Sequence, residues 1–192
     1  MQTKSEMDLR LAESFKELTL RMPIEKITIK DITDGAGVIR PTFYNHFQDK
    51  YELLEYIIRT EILEPMMPLI KSGMINAAIT IIFTNLSKER EFYHKASRLE
   101  GQNSFQSITK ECIKSLLYGY MMEETRGRAE TGNPLMKKFL TMENLADYYA
   151  HSLTFIVMRW LNEDSDVSPS DMADIYEFLM THSMKDMIEA MQ

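Results

Sequence analysis

The chain has 192 residues, 44% hydrophobic and 27% charged, enough apolar material for one or two packed domains and too much for a disordered chain. One cysteine, Cys112, excludes an intramolecular disulfide, and the charged first ten residues hold no apolar leader, so a cytoplasmic protein without a membrane segment is expected. The net charge of −7 argues against nucleic acid until it is split: residues 1–50 carry eight Lys/Arg against eight Asp/Glu, and the whole deficit lies in residues 51–192. A neutral DNA-contacting head on an acidic, DNA-repelled body would show this asymmetry.

The apolar spacing predicts an all-α chain. A first helix starts near Ser5, with Asp8 reaching back to it, and buries Leu11, Phe15, Leu18 and Met22 before Pro23 stops it. Thr28 caps a second, with Asp31 three residues on and Ile27 and Ile32 as a hydrophobic staple. Gly37 ends that helix in a tight turn. A third begins after Val38, tolerates Pro41 in its first turn and buries Phe43 and Phe47. Asp49 and Glu52 open a fourth, which runs to Pro65; Pro65 and Pro68 mark the best boundary. Longer helices are expected near 69–87, 89–99, 104–126 and 142–162. The last spans about 169–190, with Ser168 as cap, Pro169 in the first turn and Asp171 behind it. Residues 125–138 read as an exposed loop.

Two short helices joined by a glycine turn and flanked by longer ones outline a helix-turn-helix, about residues 28–47. The run Thr28-Ile29-Lys30-Asp31-Ile32, then Ala36-Gly37-Val38, then Pro41-Thr42-Phe43-Tyr44-Asn45-His46-Phe47-Gln48-Asp49-Lys50-Tyr51-Glu52-Leu53-Leu54 resembles the DNA-binding domain of the TetR/AcrR family of bacterial transcriptional regulators. The chain is similar to the members that regulate dihydroxyacetone kinase genes. The resemblance implies a DNA-binding domain over residues 1–50 and a helical effector and dimerisation domain over 51–192. It implies phosphate contacts for Thr28, Thr42, Tyr44, His46 and Lys50, and places Arg40, Pro41 and Asn45 where base-contacting side chains lie. Arg40 suits a guanine, by a bidentate bond to O6 and N7. Two positions depart from the pattern: Ile39 replaces the usual Ser or Thr cap, and Gly35 replaces a longer polar residue. Both are expected to weaken the helix ends.

No catalytic constellation stands out. Cys112 reads as a core residue, and His94, His151 and His182 are too scattered for a metal site, so neither enzyme activity, metal nor cofactor is expected. Thirteen of the sixteen methionines follow residue 60; they suit core and dimer packing, or an apolar effector cavity whose lining residues stay unassigned. The final helices carry an apolar stripe wide enough for a four-helix homodimer interface, with Tyr149, Ile156, Met172, Ile175, Leu179 and Met187 as candidates. The expected function is a dimeric, sequence-specific regulator, a repressor by family habit, bound to a palindromic double-stranded operator and controlled by a small apolar effector. The alternative replaces the effector by a partner protein, as in a co-activator; a helical enzyme or adaptor is the remote third.

Overall fold

The computed structural model describes residues 6–127, 133, 140–163 and 166–191, and for Met187 the backbone alone. The Ser5 cap, most of the 125–138 loop, Asp164 and Ser165, and the Met187 side chain lie outside the described residues. Every regular element among them is helical, and no helix there is long and apolar enough to cross a membrane.

Helix α1 (Glu6–Arg21) buries Leu11 and Phe15 completely and ends before Pro23. A single 3₁₀ turn, Ile24–Lys26, leads to α2 (Ile29–Gly35), whose start has a complete capping box between Thr28 and Asp31. Ile27 and Ile32, the staple, are both buried. At its end Gly37 takes φ +66°, and the N–H groups of Gly37 and Val38 close back on the carbonyls of Asp34 (3.2 Å) and Thr33 (2.9 Å). That pair is a Schellman closure, which needs a left-handed residue at this place. Then come α3 (Arg40–Tyr44), five residues long, and α4 (Lys50–Ile57), capped by the Asp49 carboxylate on the N–H groups of Tyr51 and Glu52.

Beyond residue 57 the structure departs from the expected helix limits. Instead of running on to Pro65, α4 widens into a π-helical stretch, Ile58–Leu63, and then tightens into a 3₁₀ turn, Glu64–Met66. Pro65 and Pro68 do not open a linker: Met66 and Ile70 beside them are buried. The helix expected near 69–87 is two, α5 (Met67–Lys71) and α6 (Ile75–Lys88), split by a second Schellman closure at Gly73, φ +72°. α7 (Arg90–Ala96), α8 (Phe105–Thr125) and α9 (Met142–Asn162) fall close to expectation. The terminal helix breaks into α10 (Pro169–Thr181) and α11 (Met184–Ala190), because His182 is extended and Ser183 with Asp186 starts a fresh capping box.

One buried apolar cluster runs from Leu11 in α1 to Tyr176 in α10. α8 lies along α9 and α6 along α10, while α1 sits against both α2 and α7. Phe83 meets Trp160 edge to face at 5.4 Å, and the Arg90 guanidinium lies over that indole at 4.5 Å. Between α1 and α7, Phe15 meets Phe92 at 6.4 Å. Beside them the Lys16 ammonium, on a nearly buried side chain, holds Glu13 (2.7 Å), Glu61 (3.1 Å) and Glu89 (3.0 Å). This node ties α1 to the π-helical stretch and to the α6–α7 junction.

Candidate nucleic-acid interface

The two short helices share a supporting floor. Phe43 is fully buried, Phe47 nearly so, and their rings lie 5.9 Å apart, with Tyr56 of α4 beneath Phe47 at 5.4 Å. At roughly 1.5–3 kcal/mol per buried aromatic, this pair is enough to hold a five-residue helix that has no side-chain cap of its own. α2 is held from the other side. Ser14 of α1 donates to the Ile32 carbonyl at 2.8 Å, and Arg10 donates to the Ala36 carbonyl.

Gly35 belongs to the same contact. A Cβ there would stand 2.3 Å from Ser14 Oγ, so the glycine admits close approach of α1 to α2. That packing role adds to the effect on the helix end expected from the sequence. Ile39 does leave α3 uncapped, as expected, and its side chain is 69% exposed.

The eight candidate DNA contacts fall into two groups. Arg40, Pro41, Tyr44 and Asn45 are exposed and Thr42 half-exposed. Among the described residues, the polar side chains of Arg40, Thr42, Tyr44 and Asn45 make no hydrogen bond to the rest of the chain. Arg40 lies near enough to Lys30 and Asp31 to act on both electrostatically, so the starts of α2 and α3 open on one face.

The other three are engaged inside the protein. The Thr28 hydroxyl donates to Asp31 Oδ2 at 2.7 Å and its N–H to the same oxygen at 2.9 Å. Those hydrogen bonds hold the Asp31 carboxyl below its ordinary pKa. His46 Nδ1 is 2.7 Å from Asp8 Oδ1 of α1, which leaves only Nε2 to face outward. Lys50 Nζ donates to the carbonyls of Ile24 (2.7 Å), Glu25 (2.9 Å) and Ile27 (2.8 Å). An ammonium has three protons, and all three are used. Burial, the largest influence, lowers the Lys50 pKa, against Glu25 and Asp49, which raise it. In this structure Lys50 thus fastens the start of α4 to the turn before α2. The sequence reading missed Arg10, Ser14 and Lys50 as fasteners because their partners are backbone carbonyls 18 to 26 residues away.

The interface candidates also divide. Ile156 and Met172 are buried within the protomer at 7% exposure each, whereas Tyr149 and Ile175 are exposed and Leu179 half-buried. Tyr148 and Phe155, at 59% and 60%, share the exposed side of α9 and were missed. Their spacing of seven, two helical turns, is a signal the sequence did contain. Cys112 is buried in α8, and burial pushes its thiol up to about 12.

Comparison with known proteins agrees with this geometry. Residues 17–57 match the family described as "Bacterial regulatory proteins, tetR family". Residues 75–182, more than half of the chain, match a TetR C-terminal family described as "Transcriptional regulator C-terminal region". A curated relative, the HTH-type dhaKLM operon transcriptional activator DhaS of Lactococcus lactis subsp. lactis (strain IL1403), is 37% identical over 54 residues, which are 28% of this chain and 29% of the relative. The chain thus matches under a third of that relative's length. Among solved structures, the dihydroxyacetone kinase operon activator DhaS superposes with a TM-score of 0.61 at 20% identity, over 91% of this chain and 94% of that one. The fatty acid degradation regulator FadR from Bacillus halodurans gives 0.59 at 16% identity, over 96% and 99%. At these identities the likeness to the two structures is one of fold.

Proposed function

The chain belongs to the TetR family of bacterial transcriptional regulators, and from that premise we propose that it acts in the cytoplasm as a homodimer on a palindromic DNA operator, with α3 of each protomer in the major groove. The family is one of regulators and not of enzymes. The observation that carries the reading is the polar edge of α3: the side chains of Arg40, Thr42, Tyr44 and Asn45 project from an aromatic floor, and among the described residues none of them hydrogen-bonds to the chain. Arg40 suits a bidentate bond to guanine and Asn45 a bond to adenine, with Pro41 against the groove wall. Thr42, Tyr44 and His46 Nε2 suit phosphates. Thr28 joins them only by exchanging Asp31 for a phosphate, and Lys50 serves by fixing α4 under α3. In the two-domain division at residue 50, α4 is the shared strut, since it begins in the Lys50 fastener and continues into the π-helical stretch.

The exposed Tyr148, Tyr149, Phe155 and Ile175 supply the apolar face of the homodimer, with Leu179 at its edge and Ile156 and Met172 supporting it from within. Sedimentation at micromolar concentration tests this: a dimer is expected, and Phe155→Arg should shift it toward monomer.

A repressor released by an apolar effector would need room among the middle helices. The cavity bounded by Ile58, Ile82, Tyr93, Phe105, Ile113 and Leu153 holds about 10 Å³, space for one water at most. A second mode of control is a partner protein acting on the outside of the body, and the DhaS proteins it resembles are described as operon activators. Operator binding measured with candidate metabolites and with candidate partners separates the two, because an effector that changes DNA affinity must also shift the melting temperature.

The DNA reading itself is tested by affinity for selected and random DNA at two salt concentrations. A steep fall with salt is expected on both. Arg40→Ala should cost about 1–3 kcal/mol on the selected site and much less on random DNA. Equal loss on both would move Arg40 to the phosphate contacts.

A further inference from the structure

The Ile39 backbone starts α3, its carbonyl accepting from the Thr42 N–H at 2.9 Å, but its side chain is left largely in solvent. The residue occupies the N-cap of α3 with φ −96° and ψ 154°, the extended geometry a capping Ser or Thr would use, yet makes no side-chain hydrogen bond to the helix. Its side chain is 69% exposed, while Val38 before it is half-buried and Phe43 after it is fully buried. The position thus forgoes a cap and leaves a branched apolar side chain in water. Arg40 and Pro41, both exposed, follow directly. Side chains at the start of a recognition helix are those that reach base edges. In the major groove of unmodified DNA the apolar group offered at a base edge is the C5 methyl of thymine. A β-branched side chain has few rotamers to lose on contact, which suits it to so small a target.

We infer that Ile39 reads a thymine methyl group, one or two base pairs from the guanine bound by Arg40, and so sets operator preference at that position. This rests on the placement of α3 in the major groove proposed above. The readout is apolar and neutral, so it adds to sequence preference without adding to salt dependence.

The test uses the full chain and a site selected from random DNA. Each thymine is replaced in turn by deoxyuridine, which deletes the methyl and keeps every hydrogen-bonding group. The expected result is one symmetric position at which affinity falls about fourfold per half-site, the factor for burying one methyl group. That position should neighbour the base pair at which Arg40→Ala loses discrimination. Ile39→Ser restores a capping side chain, so it should fold at least as well; it should bind the thymine and uridine sites equally and keep the wild-type salt slope. Placing 5-methylcytosine at that position in a cytosine-substituted site should recover affinity for wild type and not for Ile39→Ser. Uniform tolerance of uridine, or a uridine effect that persists in Ile39→Ser, overturns the inference and leaves the DNA-binding reading standing. Failure of the wild-type chain to bind any DNA in a salt-dependent way overturns both.

Discussion

The helices up to residue 50 and those beyond it reach stability by different routes. In the first region the net charge is 0, and the ends of α2 and the start of α4 are written locally: Thr28 with Asp31, Gly37, and Asp49 on the N–H groups of Tyr51 and Glu52. In the second the net charge is −7; α8 to α11 start on side-chain caps at Ser104, Thr141, Ser168 and Ser183, but α6 and α7 start at Met74 and Glu89 with none. For those two the limits are set by what packs, such as Phe83 on Trp160 and Tyr93 between Phe92 and Phe105. The π-helical stretch Ile58–Leu63, which continues α4, lies where the two regions meet.

The strongest way to break the comparison is at that junction. Burial alone would lower the Lys16 pKa, but Glu13, Glu89 and Glu61 outweigh it and hold it above the ordinary lysine value. Lys16→Met leaves three carboxylates facing one another and should cost about 2–4 kcal/mol in denaturant unfolding, toward the low end because Glu13 and Glu89 reach solvent. A raised lysine pKa contributes stability that is complete below the unfolded value of 10.5 and is lost as pH rises through the folded one. The gap between wild type and Lys16→Met should therefore stay constant from about pH 6 to pH 9 and narrow only in strong alkali. A gap that closes near neutrality would show that Lys16 is not the node.

Gly35→Ala comes next. Its Cβ displaces Ser14 Oγ from the Ile32 carbonyl, so a loss of about 1–3 kcal/mol is expected. In the Ser14→Ala background the same change should cost markedly less, and a double-mutant cycle reads the difference. Additive losses would mean that α1 and α2 do not meet as described.

Lys50→Ala removes a three-carbonyl fastener and should lower stability by about 1–2 kcal/mol. Operator affinity should fall only in step with unfolding, with an unchanged slope of log affinity against log salt. A slope smaller by about one per half-site would return Lys50 to the phosphate contacts. The smallest effect belongs to the body's interior. With its thiol buried and pushed up to about 12, Cys112 should resist alkylation at about pH 8 until the chain is unfolded. Rapid labelling of the native protein would reveal that α8 opens.

The sequence carried more of the first region than of the second, and the reason is range. Caps and staples act within four residues, so Thr28, Asp31, Ile27 and Ile32 announce α2, as Ser168 and Asp171 announce α10. The splits at Gly73 and at Ser183 were also local, but continuous apolar spacing across them masked the stop signals. The arrangement of the DNA face was half legible. Exposure of Arg40, Tyr44 and Asn45 follows from their spacing around Phe43 and Phe47, because a helix has only one buried side.

By itself the sequence determined that the chain is helical, where α2 to α4 begin, which side of α3 is presented, and how charge is divided along the chain. Those properties depend on neighbours within a turn or two. Only the tertiary structure decided that Lys50 spends its donors inside the protein, that His46 is tied to Asp8, and that Gly35 lies against Ser14. It also turned Met172 and Ile156 inward and left Tyr148 and Phe155 outside. Each of those outcomes joins groups far apart in the chain. Whether a polar side chain is free to bind a partner depends on which distant surface reaches it first, and no local pattern records that.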